Sequence, residues 1–93
     1  MVNKKILKIR NKLDKLDNLL LEVIKKRTIL VNQVIANKKF KKDIVDRKRI
    51  KIILKNIGKK SKKKKIDPLI TKKIWKSMIR AFIDYEFRNF KKK

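Results

Sequence analysis

The sequence has 93 residues, with no cysteine, no histidine, one glycine and one proline. A chain of this length buries only a thin core, so we take residues 1–93 as a single domain. The missing cysteine and histidine exclude thiol chemistry, disulfides and the commonest metal ligands, and we expect neither cofactor nor metal. No apolar run approaches a membrane span and no signal-type block follows Met1, so we expect a soluble, cytoplasmic protein.

The net charge is extreme at +24, from 32 basic and 8 acidic residues. Such a charge favours non-specific contact with nucleic acids through phosphate neutralisation. However, lysine provides 26 of the basic positions and arginine only 6, although arginine is the better reader of phosphates and bases. Lysine, isoleucine and asparagine also share A/T-rich codons. We therefore interpret the charge mainly as a matter of genome composition and solubility.

The first predicted helix covers about residues 5 to 40, without glycine or proline. One face recurs at steps of three and four residues: Ile6, Ile9, Leu13, Leu16, Leu20, Val23, Arg27, Leu30 and Val34. A helix of 35 residues would span roughly 50 Å, too long for a monomer of this size to cover. The pattern therefore predicts an intertwined, mostly antiparallel homodimer.

The second predicted helix is shorter and follows a break at residues 41–43. Asp46 or Asp43 can cap it, and Gly58 is a natural residue for its C-terminal end. Residues 59–65 contain six lysines and Ser61, which favours a solvated basic loop over a polyanion-binding patch.

The third predicted helix begins at Asp67-Pro68, an acidic cap followed by proline at the first helical position. Its inner face comprises Ile70, Ile74, Trp75, Met78, Ile79 and Phe82, and continues to Glu86. A basic tail, residues 91–93, follows. The predicted fold is all-α: long, short and medium helices that form an intertwined homodimer.

Several charges lie where the helical pattern calls for apolar residues. Arg27 falls in the apolar row itself, Lys38 continues that row, and Arg10 flanks it. Arg10 and Arg27 are 17 residues apart, roughly 25 Å along one helix. In an antiparallel dimer, Arg10 of one chain can approach Arg27 of the other. Convergent cations with aliphatic walls suit a compact dicarboxylate ligand.

The order and spacing of several motifs resemble those of the all-helical chorismate mutases. These motifs are Ile9-Arg10-x-x-Leu13-Asp14-x-Leu16-Asp17, Arg27, Lys38, Asp46-x-x-Arg49, Ile66-Asp67-Pro68, Trp75 and Glu86. The resemblance covers about residues 9 to 87. It implies the conversion of chorismate to prephenate by an intramolecular Claisen rearrangement in a helical dimer, without cofactor.

The resemblance also implies roles for individual residues. Arg27 and, across the dimer, Arg10 would bind the two carboxylates. Lys38 and Glu86 would contact the ether oxygen. Arg49 would add positive charge, and Asp46 would help to place the ring hydroxyl.

The sequence departs from the family pattern at two positions. Ile50 replaces the glutamate that usually follows Arg49, and Phe82 replaces a serine. The segment between Lys38 and Asp46 is also one residue short, which makes Lys39 an alternative to Lys38. Two other functions stay open: an isochorismate pyruvate-lyase on the same scaffold, and a basic helical dimer that binds nucleic acid.

Overall fold

A computed structural model describes residues 3–91 as three α-helices and one short 3-10 turn. The helices are α1 (Lys4–Asn37), α2 (Arg47–Lys63) and α3 (Pro68–Asn89), and the turn covers Lys41–Asp43. No strand occurs between residues 3 and 91, so the predicted all-α fold with long, short and medium helices is confirmed. The chain divides into two compact units with the boundary after Leu30.

α1 begins where the side chain of Asn3 accepts a hydrogen bond from the backbone N–H of Ile6 (2.9 Å), a typical N-cap. It ends three residues earlier than the sequence indicated. The apolar row along it remains exposed in the single chain; Leu20, for example, keeps 58% of its surface accessible. A row of this kind is expected where another helix covers the face.

The connection between α1 and α2 is fixed by one apolar side chain. Ile44 retains only 3% of its accessible surface, and its backbone N–H closes the 3-10 turn by donating to Lys41 O (3.2 Å). α2 then begins at the predicted cap, because Asp46 Oδ1 accepts from the backbone N–H of Arg49 (3.0 Å). The side-chain cap satisfies one of the unpaired donors of the first turn.

The predicted basic loop over residues 59–65 is wrong, and Gly58 does not end α2. The helix continues through Gly58 to Lys63, and Lys65 takes the left-handed conformation (φ 58°). The N–H groups of Lys65 and Ile66 donate to Lys62 O and Ser61 O (3.1 and 2.9 Å), which is the Schellman pattern of a helix C-terminus.

A buried hydroxyl pair explains why α2 continues past Gly58. Ser61 keeps 3% of its accessible surface and lies 2.7 Å from the hydroxyl of Thr71 on α3; it also donates to Ile57 O. Burial of this turn against α3 stabilises the helix by more than the repulsion among its lysines destabilises it. The prediction of a loop was based on that repulsion alone.

α3 begins as predicted, with Asp67 Oδ1 accepting from the N–H of Leu69 (2.9 Å) and proline in the first turn. On the predicted inner face, Trp75, Met78, Ile79 and Phe82 are half-buried and Glu86 is buried. Ile70 and Ile74, at the start of the same face, are about half exposed (54% and 52%). Because Thr71 is buried, the packed face of α3 runs from Thr71 through Trp75 to Glu86, and Ile70 and Ile74 lie at its edge.

The predicted tail begins after Asn89: Lys91 lies outside the helix, and residues 92 and 93 lie outside the described residues. Between residues 3 and 91, no helix combines the length and apolar character needed to cross a bilayer.

Candidate active site

An ion pair joins two residues that the sequence placed in one site. Lys38 Nζ lies 3.0 Å from Glu86 Oε1, although the two residues are 48 positions apart. The side chains keep only 19% and 11% of their accessible surface. Two opposite charges in a partly dry environment form a strong, geometrically defined contact.

Lys38 follows directly after the last residue of α1. Its backbone N–H donates to the carbonyl of Ile35, a buried residue, at 3.2 Å. Its ammonium group donates a second hydrogen bond, to the carbonyl of Ile44 at 3.3 Å. Two contacts therefore hold the side chain and a third holds the backbone, whereas Lys39 is exposed. Between the two lysines that the sequence left open, the geometry favours Lys38.

Glu86 is placed by the packing of α3 against the end of α1. One position earlier, the hydroxyl of Tyr85 donates to Asn32 Oδ1 at 2.8 Å. The rings of Tyr85 and Phe82 also meet edge to face, with centroids 6.4 Å apart. Phe82 lies one helical turn before Glu86 on the same face of α3, at the position where the resemblance implies a serine.

Arg27 and Arg10 do not converge within one chain, because both belong to the continuous helix α1. Arg27 is half-buried and its Nε atom is shielded from solvent, as its place in the apolar row predicts. Arg10 is exposed. A ligand that contacts both arginines would need Arg10 from a second copy of the chain.

Asp46 and Arg49 are joined through the backbone. Asp46 Oδ1 receives the N–H of Arg49, while both side chains are largely exposed. Among the described residues, no side-chain hydrogen bond or ion pair connects either residue to Lys38 or Glu86. Asp46 therefore acts as a helix cap, and its second carboxylate oxygen remains available for a ligand.

Two contacts of the site were missed by sequence reasoning. The bond to the carbonyl of Ile44 could not be predicted from the sequence, because every residue has a carbonyl group. Only the 3-10 turn brings this carbonyl within hydrogen-bond distance of Lys38. The Asn32–Tyr85 bond joins residues 53 positions apart. Each is a polar residue on an amphipathic helix, and their pairing depends on how α1 and α3 pack.

A comparison with protein families matches residues 9–87 of this chain to chorismate mutase type II. The chain belongs to the chorismate mutase type II family. No curated protein and no solved structure gives a significant match. The family is all-helical and its name denotes an isomerase of aromatic amino acid biosynthesis that acts on chorismate. The matched segment contains all six candidate site residues and coincides with the resemblance drawn from the motifs.

Proposed function

We propose that this protein is a chorismate mutase that converts chorismate to prephenate. The observation that carries the proposal is the Lys38–Glu86 pair, which brings together two charges at family positions that are 48 residues apart. The family match over residues 9–87 supports the same substrate class.

The reaction is a rearrangement within one molecule. The ether C–O bond breaks, a C–C bond forms between the side chain and the ring, and the ether oxygen becomes a ketone oxygen. No atom enters or leaves, so the protein needs only to hold the reactive conformer and to stabilise charge. Both effects are large when the donors are already in position.

Lys38 is the residue best placed to stabilise the ether oxygen as negative charge develops on it. Its ammonium group has three protons. Two are used by Glu86 and the carbonyl of Ile44, which leaves one for a ligand. Glu86 fixes the ammonium group in the ligand-free site.

The two carboxylates of the substrate would be bound by Arg27 and by Arg10 of the partner subunit. This requires an antiparallel homodimer, which the exposed apolar row of α1 supports. Guanidinium groups bind carboxylates in a bidentate manner and so fix orientation as well as position.

The ring hydroxyl would be placed by Asp46, with Arg49 supplying positive charge nearby. Ile50 cannot provide the carboxylate that usually follows the arginine. Losing one partner for a buried hydroxyl costs about 1–3 kcal/mol. We therefore expect a slow enzyme, with kcat/KM reduced by roughly one to two orders of magnitude. A cytoplasmic location is part of this proposal.

A continuous ultraviolet assay of chorismate consumption, with identification of the product, tests the function. Prephenate formation that disappears in Arg27→Ala is the expected result. Lysine substitution at the same position (Arg27→Lys) keeps the charge but not the planar fork, so partial activity should remain. Turnover of isochorismate to pyruvate instead would identify a lyase, and no turnover of either compound at high enzyme concentration would refute the proposal.

A further inference from the structure

A second charged feature lies along α2, the helix whose first turn contains the candidate site residue Arg49. This helix of 17 residues contains nine lysines and arginines and no acidic residue. Five of the lysines recur at steps of three and four and form one row, here called the lysine stripe: Lys48, Lys51, Lys55, Lys59 and Lys62. At about 100° per residue, they lie within roughly 80° of one another around the helix. All five are exposed.

The stripe exists because α2 continues past Gly58. If the helix ended there, as the sequence indicated, Lys59 and Lys62 would lie in a loop and the row would stop at Lys55. The buried Ser61–Thr71 hydroxyl pair and the Schellman end hold the last turn in helical form. The stripe is therefore a fixed element of the fold and spans about 21 Å from its first lysine to its last.

The fold does not neutralise these charges. Between residues 3 and 91, no carboxylate lies within ion-pair distance of a stripe lysine. The half-buried and buried residues of α2, such as Ile53, Ile57 and Ser61, are centred on a face about 130° away from the stripe. The stripe therefore faces outwards, and its like charges repel one another unless an anion binds.

We propose that the lysine stripe binds the phosphate backbone of double-stranded nucleic acid without sequence preference. One strand of a duplex presents a phosphate every 3.4 Å or so along the axis, so about 21 Å of helix faces roughly six phosphates. Five lysines at intervals of about 4.5–6 Å supply nearly as many positive charges over the same length. This binding is a separate property from the proposed isomerase activity.

The residue composition of α2 indicates which kinds of ligand the lysine stripe can bind. α2 contains no aromatic side chain on which unstacked bases could stack, which favours a duplex over a single strand. Its two arginines, Arg47 and Arg49, lie outside the stripe, so it lacks the side chain that most often reads bases. A helix that binds a membrane surface inserts its apolar face into the lipid. The apolar face of α2 packs against α3 and is not available for such insertion.

The test compares two triple variants with the same net charge. In the stripe variant, glutamine replaces Lys51, Lys55 and Lys59. In the control, glutamine replaces Lys4, Lys8 and Lys15, which lie on the side of α1 that faces away from its apolar row. Glutamine and lysine have similar helix propensities, so both variants should fold, as circular dichroism would verify. Binding to a 20-bp fluorescent duplex is measured by anisotropy from 50 to 200 mM salt.

We expect the stripe variant to lose about 2.7 from the slope of log Kd against log salt, or 0.9 for each phosphate contact removed, and the control to keep the slope of the original protein. The triple lysine-to-arginine variant at the same stripe positions should keep the slope. Equal losses in both glutamine variants would overturn the proposal in favour of diffuse charge. Absence of duplex binding at 50 mM salt would overturn it too, as would a stronger preference for phosphatidylserine vesicles.

Discussion

Replacing Lys38 by glutamine should abolish most of the proposed activity, whereas the same change at Lys39 should not. Lys38 is held by Glu86 and by the carbonyl of Ile44, at 3.0 and 3.3 Å, so its charge is in place before a ligand binds. Removing one preorganised donor to a developing oxyanion typically lowers kcat by 10²–10³, or about 2.7–4 kcal/mol. Lys39 is exposed, so Lys39→Gln should stay within about 0.5 kcal/mol of the original protein in stability.

The Lys38 substitution should also lower the free energy of unfolding. Breaking a fully buried pair costs about 3–5 kcal/mol and breaking an exposed one at most about 1 kcal/mol. With 19% and 11% of the side-chain surfaces accessible, this pair lies between those limits, and we expect a loss of about 2 kcal/mol. Urea unfolding measures this loss, and kcat for chorismate is measured below the onset of unfolding.

Lys38→Arg separates charge from folding. Arginine keeps the positive charge opposite Glu86, so stability should largely recover, while its planar group cannot reproduce the position of the ammonium proton and kcat should recover only in part. Equal kcat losses in Lys38→Gln and Lys39→Gln, in folded proteins, would refute the assignment. Full activity in Lys38→Gln would refute the role of the ion pair altogether.

Three further predictions concern the helix end, the carboxyl group and the dimer. Gly58→Ala should stabilise the protein by about 0.5–1 kcal/mol, because a Cβ there meets no atom within 4 Å and the residue is helical. Lys65→Gly should raise the free energy of unfolding by about 1 kcal/mol, because glycine adopts the left-handed conformation (φ 58°) without strain. A lower urea midpoint in either variant would contradict the described helix end. Glu86→Gln should keep a hydrogen-bonding group opposite Lys38 and so retain more of kcat than Glu86→Ala; equal kcat in the two folded variants would exclude a role for Glu86 at the site. Raising the salt concentration should tighten the proposed homodimer, since chains of net charge +24 repel; sedimentation that shows a looser dimer in salt would count against this.

The helix starts could be predicted because their signals are local. The caps at Asp46 and Asp67 and the proline at Pro68 act within a few residues, so sequence spacing was sufficient to find them. The pairing of Lys38 with Glu86 was also accessible, since each charge stood on a helical face that is otherwise apolar. That argument placed both in one site but gave neither the ion pair nor its distance.

The end of α2 could not be predicted because it depends on packing between helices. Gly58 is the usual signal for a helix end, and six lysines after it indicate a solvated loop. Ser61 gave no local sign that it would meet Thr71 in a buried position ten residues later. The left-handed residue that ends the helix is Lys65, where glycine would be the expected choice.

The proposed active site and the lysine stripe use positive charge in opposite ways. At the site, Glu86 compensates Lys38, and both side chains are shielded from most of the solvent, so added salt screens their interactions only weakly. The stripe is uncompensated and exposed, and a duplex that it binds releases condensed counterions, which a small dicarboxylate does not have. Between 50 and 200 mM salt, duplex affinity should therefore fall far more steeply than kcat/KM for chorismate. If both fell with the same slope, the net charge of the chain would govern both processes. The assignment of duplex binding to α2 and of chorismate turnover to the Lys38–Glu86 pair would then be wrong.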